Sequence, residues 1–153
     1  MAAGVTIQAD RLGGFRDRLN QIARDRLSPE MLRPELRLES IVPLRDLTTE
    51  RMADLNRLEP FGQGNPSLQF VVPALRLVGT PQRIGKDQQH WRLRVTDGSA
   101  TADVLWWGGV ESGQPLPSGT FDVAVVPQLD TYQNRPRVRL RLLDWRPAEP
   151  LQP

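Results

Sequence analysis

The amino-acid sequence predicts a mainly β protein, a small barrel with one inserted helix that follows an amphipathic N-terminal helix. Two observations favour this fold class. From residue 67 onward, five segments rich in valine, leucine and aromatic residues alternate at period two, and turn-forming sequences separate them. Before residue 60, apolar residues instead recur at helical spacing in two stretches. An antiparallel meander of this size, preceded by one more strand, usually closes into a small barrel.

The N-terminal segment is predicted to form a helix and a turn outside the barrel. Asp10 is placed to cap a helix over residues 11–27, and Ser28 with Pro29 then begins a short turn. Charged residues occupy one side of this helix. The apolar side consists of Leu12, Phe15, Leu19, Ile22 and Leu27.

The barrel domain is predicted to begin with a strand over residues 35–42, where leucines alternate with charged neighbours. Thr48 then opens a second helix that ends at Leu58. The predicted domains are residues 1–30, a barrel over residues 31–148, and a flexible tail over residues 149–153.

A loop rich in glycine and proline follows the second helix. Gly62 and Gly64 would permit positive φ, Asn65 would tolerate it, and the prolines would end the helix and begin the next strand. The spacing fits neither a dinucleotide-binding nor a phosphate-binding glycine motif. We interpret it as a structural connector, formed by Pro60, Phe61, Gly62, Gly64, Asn65 and Pro66.

Two of the predicted strands carry rows of cations. The five strand segments are residues 67–84, 89–97, 100–107, 120–129 and 135–145. In the second and fifth, apolar residues alternate with the cationic residues His90, Arg92, Arg94, Arg137, Arg139 and Arg141, without an interleaved acid. Lys86, in the turn before the second segment, is the only lysine among 20 basic residues. A solvated surface would explain one such row, whereas two rows favour a surface for nucleic acid or another polyanion.

Aromatic residues near these rows are candidates for stacking on bases, since single strands bind to basic grooves that carry exposed rings. Trp106 and Trp107 are adjacent in one strand, so only one of them can face the core. Both tryptophans, together with Tyr132 in the last hairpin, are candidate stacking residues; the sequence does not decide which tryptophan is exposed, and we include Trp106 in the predicted site. Packing in the core is the alternative for each ring.

The composition excludes several classes of protein. The chain of 153 residues has no cysteine, one histidine and 18 scattered acidic residues. We therefore expect no disulfide, no metal site, no cofactor and no catalytic residue in this chain. Its apolar runs are too short to span a membrane, and its N-terminus lacks the pattern of a secretory signal, so a cytoplasmic location without a membrane partner is expected.

Four segments together resemble the C-terminal region of the bacterial RecJ family, single-strand-specific 5'-to-3' DNA exonucleases of the DHH phosphoesterase superfamily. They are "LEPFGQGNPSLQF", "GKDQQHWRLRVTDG", "ADVLWWG" and "YQNRPRVRLRLLDWRP". The resemblance implies an oligonucleotide-binding (OB) barrel that binds single-stranded DNA and serves in DNA repair and recombination. The helix at residues 11–27 would be the end of a truncated DHH-associated domain.

The resemblance also places the chemistry outside this chain. "MAAGVTI" corresponds to a point inside a family motif, so we expect a fragment or a gene model begun at an internal methionine. Manganese or magnesium would be bound by the missing DHH catalytic domain, which is an expected partner, as are single-strand-binding or recombination proteins. The chain alone should be inactive. The alternative is an interaction module that docks on the catalytic domain or on a repair protein and has little affinity for DNA.

Overall fold

The structure is a computed structural model that describes residues 4–131 and 136–148. The chain divides into two compact units, Met1–Leu36 and Arg37–Pro153. The flexible tail predicted for residues 149–153 lies outside the described residues.

The first unit contains the predicted N-terminal helix. A 3-10 turn at Ala9–Arg11 leads into helix α1, Leu12–Arg26. The prediction that Asp10 caps this helix is wrong, because Asp10 lies inside the 3-10 turn and the N-cap position falls to Arg11, whose side chain makes no capping hydrogen bond. In the turn after the helix, the Ser28 hydroxyl accepts a hydrogen bond from the Met31 amide at 3.4 Å.

The second unit begins with a shorter strand than predicted. Strand β1 is only Ser40–Ile41, and it pairs in parallel with a later strand. The alternation over residues 35–42 was therefore misleading, since Leu36 and Leu38 are both exposed and have no core to face. Helix α2, Thr49–Asn56, is confirmed, and the Thr48 hydroxyl accepts a capping hydrogen bond from the Arg51 amide.

Six further strands follow α2. They are β2 (Phe70–Leu77), β3 (Gln82–Ile84), β4 (His90–Thr96), β5 (Thr101–Trp106), β6 (Phe121–Asp130) and β7 (Arg137–Pro147). The first predicted segment, residues 67–84, is split into β2 and β3 by a turn in which Gly79 adopts a φ of 71°. A side chain at that φ would be strained, so glycine suits the turn.

The strands pair in the order β1-β2-β6-β7-β5-β4-β3, and a further pairing joins β2 to β4. Strands β2, β6, β7, β5 and β4 thus form a ring, the Greek-key arrangement of the OB fold. The prediction of an all-antiparallel meander is wrong, since β6 pairs with β2 and β7 and not with β5. Strands β5 and β7 are parallel, because the connection over residues 107–120 carries the chain across to β6 beside β2.

Apolar side chains from the inner positions of the ring form the core. It comprises Val72, Leu75, Leu93, Val95, Val104, Trp106, Phe121, Val123, Val125, Leu140 and Leu142, with Leu44 from the segment before α2. Because side chains alternate along a strand, the residues between these positions face outward. The outer face of the ring therefore displays the cationic residues of β4 and β7.

The segment that contributes Leu44 is attached to the ring by one carboxylate. Asp97, in the turn between β4 and β5, accepts a hydrogen bond from the Leu44 amide at 3.0 Å. Its other oxygen accepts from the Ser99 amide and hydroxyl and from the Ala100 amide. Asp97 thus joins residues that are 53 positions apart.

Candidate nucleic-acid interface

The two cationic rows lie on one face of the ring. Strand β5 separates β4 from β7, and the register places Asp103 between Arg94 and Arg139. The next outward position places Leu105 between Arg92 and Arg141. Residues paired across neighbouring strands share a face, so the rows are two strands apart on the same surface.

Arginines from both rows line a common groove of about 380 Å³, which we call the arginine groove. Arg92 and Arg94 contribute from β4, and Arg137 contributes from β7. The turn between β2 and β3 also contributes to the lining. The complete lining is Val78, Gly79, Thr80, Gln82, Arg92, Arg94, Asp103 and Arg137.

Neighbouring strands supply acids that the sequence pattern of the two rows does not contain. The Asp130 carboxylate on β6 binds Arg137 Nε at 3.1 Å and Arg139 Nη2 at 2.9 Å. Asp103 lies in the lining of the groove itself. Five arginines therefore face two aspartates, and the surface remains net positive.

Arg92 and Arg94 differ in their surroundings. The Arg92 guanidinium donates a hydrogen bond to the Gln82 side chain. Arg94 is exposed, and within residues 4–131 and 136–148 it has no ion-pair partner. Among the described residues Arg92 likewise has no ion-pair partner, whereas Arg137 pairs with Asp130.

The structure resolves which tryptophan faces outward. Trp106 is 7% exposed and belongs to the core, whereas Trp107 is 52% exposed. A buried ring cannot stack on a base without disrupting the core. This corrects the selection of Trp106, and the candidate stacking residue becomes Trp107.

His90 fixes the position of Trp107 rather than extending the row of cations. Its Nδ1 accepts a hydrogen bond from the Gly108 amide at 2.9 Å, so that nitrogen carries no proton. Its ring meets the Trp107 ring edge-on, with centroids 4.5 Å apart. His90 therefore holds the end of β5 against the start of β4.

Of the two remaining sequence candidates, the structure describes only Lys86. Lys86 is exposed in the turn between β3 and β4 and does not contribute to the lining of the groove. Tyr132 lies outside the described residues.

The connector after α2 is held by a side chain rather than by unusual glycine geometry. The expectation of positive φ at Gly62, Gly64 and Asn65 is wrong, since none of them adopts it. Instead, the Asn65 amide donates to the Leu58 and Pro60 carbonyls at 2.8 and 3.1 Å. The backbones of Gly62 and Asn65 also exchange two hydrogen bonds. Asn65 therefore closes the loop onto the end of the helix.

A second cavity, of about 430 Å³, lies between α2, the connector and the outer face of the sheet, and we call it the helix–sheet cavity. Its lining includes Leu55 of α2, Phe61 of the connector, Trp107, Gln128 of β6 and Arg139 of β7. Sequence analysis missed it because these elements are far apart in the chain. The one local indication of the cavity in the sequence was the tryptophan pair, of which one member, Trp107, lines it.

In residues 4–131 and 136–148, no group of three or more histidine, aspartate or glutamate residues is arranged to hold a metal ion. Among the helices that the structure describes, none combines the length and apolar character needed to cross a membrane.

Comparison with known proteins identifies relatives of much greater length. The single-stranded-DNA-specific exonuclease RecJ of Bacillus subtilis (strain 168) is 27% identical over 145 residues, which cover 94% of this chain and 18% of that protein. The crystal structure of RecJ from Thermus thermophilus in complex with Mn²⁺ matches 97% of this chain and 21% of its own, with 23% identity and a TM-score of 0.70. The crystal structure of the same protein in complex with Mg²⁺ matches 95% of this chain and 21% of its own chain, with 21% identity and a TM-score of 0.68.

These matches agree on the fold and on the region involved. The chain spans about a fifth of the length of each relative. A family model described as the RecJ OB domain matches residues 38–144, which include α2, strands β1 to β6 and most of β7. The chain therefore belongs to the RecJ OB domain family.

Proposed function

We propose that this chain is the single-stranded DNA-binding OB module of a RecJ-like 5'-to-3' exonuclease that acts in DNA repair and recombination. The observation that carries the proposal is the arginine groove, in which Arg92, Arg94 and Arg137 from two separate strands line one surface. Arginine provides planar, multi-donor contacts to phosphate, and it remains charged at every physiological pH. The B. subtilis relative is an exonuclease specific for single-stranded DNA, which favours the same ligand.

The position of the groove on the fold supports this assignment. OB folds bind oligonucleotides on the face of their second and third strands and with the loops between strands 1 and 2 and between strands 4 and 5. Here β4 and β5 are the second and third strands of the ring. The corresponding loops carry Lys86 and Tyr132. Arg92 and Arg94 lie on β4, and Arg137, Arg139 and Arg141 lie on β7, which pairs with β5.

The role of the module is to hold the strand, while hydrolysis belongs to a catalytic domain outside this chain. Phosphates would lie along the arginines and release condensed counterions, and Trp107 would offer its ring to a base. Manganese or magnesium would act in the catalytic domain. We expect no nuclease activity from this chain alone.

Salt-dependent binding of a short oligothymidine tests the proposal. Arg94→Ala should weaken binding and reduce the steepness of log K against log salt by about 0.7, the value for one phosphate contact on a single strand. Arg139→Ala should have a smaller effect, because Asp130 already neutralises part of its charge. Tyr132→Ala should weaken binding by about 1–3 kcal/mol without changing the slope if Tyr132 stacks on a base.

Arg57→Ala is the matched control. It removes the same charge from the end of α2, at an exposed position outside the arginine groove. Identical weak binding by the wild type, Arg94→Ala and Arg57→Ala would reject DNA binding by this surface.

A second candidate function is docking onto the catalytic domain. It is favoured by the exposed apolar residues of the first unit, among them Leu12, Phe15 and Leu19. If docking is the main role, the isolated chain will bind DNA weakly at all salt concentrations. Affinity will then be recovered only when the catalytic domain is added.

A further inference from the structure

The helix–sheet cavity has the size and lining of a site for a small planar group. Its volume of about 430 Å³ lies within the range of small-ligand sites in proteins. Leu55, Phe61 and Leu129 supply apolar surface, and the Asn56 and Gln128 amides supply both hydrogen-bond donors and acceptors. An uncharged planar ring would pack against the apolar side chains, and polar atoms at its edge would form hydrogen bonds with the two amides.

One wall of the cavity is an aromatic ring already held in place. Trp107 contributes to the lining while remaining half exposed, and the edge-on contact with His90 restricts its orientation. The hydrogen bond from the Gly108 amide to His90 in turn fixes the imidazole. A ring that is ordered before binding loses less conformational entropy when a ligand stacks on it.

The cavity adjoins the arginine groove through one shared carboxylate. Asp130 binds Arg137, which lines the groove, and also Arg139, which lines the cavity. These arginines are two residues apart on β7, or about 7 Å along a strand. A ligand with an anionic backbone and a neutral planar substituent could therefore occupy both surfaces.

The charges of the cavity distinguish a base from an acidic peptide. The ionisable groups in its lining are Glu59, Asp130 and Arg139, so the cavity itself carries no excess of positive charge. It would not attract an acidic peptide. The positive charge lies in the neighbouring arginine groove, where phosphates would be placed.

We propose that the helix–sheet cavity receives one unpaired base of a single strand whose phosphates lie on the arginine groove. This inference rests on the proposed function. It adds a site for a base in the helix–sheet cavity, which Arg139 lines, beside the site for phosphates in the arginine groove. The Asn56 and Gln128 amides can bond to the edge of any base, so the site accepts bases without strict sequence preference.

The test compares two oligonucleotides of equal length and charge, an oligothymidine and the same phosphodeoxyribose chain with every base removed. Wild-type protein should bind the oligothymidine more tightly. Trp107→Ala should weaken that binding by roughly 5- to 150-fold and leave binding of the abasic chain unchanged. Trp107→Phe keeps an aromatic face, so this variant should still bind the oligothymidine more tightly than the abasic chain.

Tryptophan fluorescence provides a second measurement that does not depend on the alanine variant folding. Oligothymidine should quench the wild-type emission, the abasic chain should not, and Trp107→Phe should lose the quenched component. Thermal melting checks that each variant is folded.

The possible failures are distinguishable. If wild-type protein binds both oligonucleotides equally, the base site is wrong while backbone binding by the arginine groove stands. If neither oligonucleotide binds, the proposed function and the base site both fail. If an apolar peptide quenches Trp107 and the oligothymidine does not, the cavity is a protein-docking site and the base site is rejected.

Discussion

Asp97 shows how a single carboxylate can determine where a segment packs. Partial burial would raise its pKa, but the hydrogen bonds from the Ser99 hydroxyl and from the amides of Ser99, Ala100 and Leu44 outweigh that effect and lower the pKa to about 2. The ionised form is therefore favoured by folding. From its turn between β4 and β5, Asp97 binds the Leu44 amide and so holds the Leu44 side chain in the core.

This shift predicts a dependence of stability on pH. Because the folded-state pKa lies below the unfolded value of about 3.9, the stabilisation is complete above that value and is lost as the pH falls towards 2. Asp97→Asn should lower the free energy of unfolding at pH 7 by about 1–2 kcal/mol, allowing for partial exposure, and should flatten the acid limb. Urea titrations between pH 2 and 7 measure both effects.

Asp54→Asn is the control for this prediction. Asp54 is an exposed residue of α2 whose nearest cation, Arg57, lies 3.9 Å away. Equal losses in the two variants would show that the Asp97 hydrogen bonds contribute nothing specific.

Gly109 is constrained by the buried tryptophan. A Cβ atom at this position would lie closer than 3.0 Å to three atoms of the Trp106 ring. Gly109→Ala should therefore destabilise the protein by about 1–3 kcal/mol, the usual effect of overpacking. Gly64→Ala, which meets no atom within 4 Å, should be nearly neutral in the same thermal melts.

At the residue scale, the sequence predicted the cationic rows but not their surroundings. Period-two alternation placed Arg92 and Arg94 opposite Leu93 and Val95, as the burial pattern confirms. The same rule could not choose between Trp106 and Trp107. It shows that adjacent side chains point to opposite faces of the sheet, but it does not show which of the two faces is the core. Asp130 was overlooked because its pairing with Arg137 depends on the β6–β7 register.

The connector after α2 is held closed by the side chain of Asn65. Asn65→Ala removes the two hydrogen bonds to the Leu58 and Pro60 carbonyls. Because these groups are exposed, water replaces part of the loss, and we expect a cost of about 0.5–1.5 kcal/mol. Chemical denaturation measures it. Gln63→Ala, in the same loop, is the control, and an equal change in both variants would contradict the role of Asn65.

At the element scale, strand existence was predictable and strand pairing was not. The segments that became β4, β5, β6 and β7 were located to within a few residues. The parallel pairing of β5 with β7 depends on the path of the 107–120 connection, which no local pattern encodes. The prediction of a strand over residues 35–42 was largely wrong for a related reason. Alternation indicates a strand only where a partner strand and a core exist, and only Ser40–Ile41 has a partner.

For the whole molecule, the division into two units predicts independent folding of the ring. All buried hydrophobic side chains of the described residues lie between Leu44 and Leu142. Deleting residues 1–36 should therefore leave a cooperative thermal transition within about 4 °C of the full chain, measured by circular dichroism. Loss of the transition would show that the first unit contributes to the core.

The same deletion should reduce self-association, because it removes the exposed residues Leu12, Phe15, Leu19 and Ile22. Burying each such side chain is worth roughly 1.5–3 kcal/mol, so the intact helix has a strong tendency to find a partner. Sedimentation at several concentrations measures the difference. Unchanged association after deletion would assign it to the ring.

The ring of strands is joined unevenly, and this has a consequence for its motions. Strands β6 and β7 are paired over ten residue positions, whereas β2 and β4 are paired over two, Arg76 with Thr96 and Leu77 with Val95. We expect local opening to begin at the seam between β2 and β4, where the fewest paired positions must separate. Arg94 lies beside that seam, and its carbonyl accepts a hydrogen bond from the Val78 amide. We therefore expect the arginine groove to widen when β2 and β4 separate locally, while the pairing of β6 with β7 stays intact.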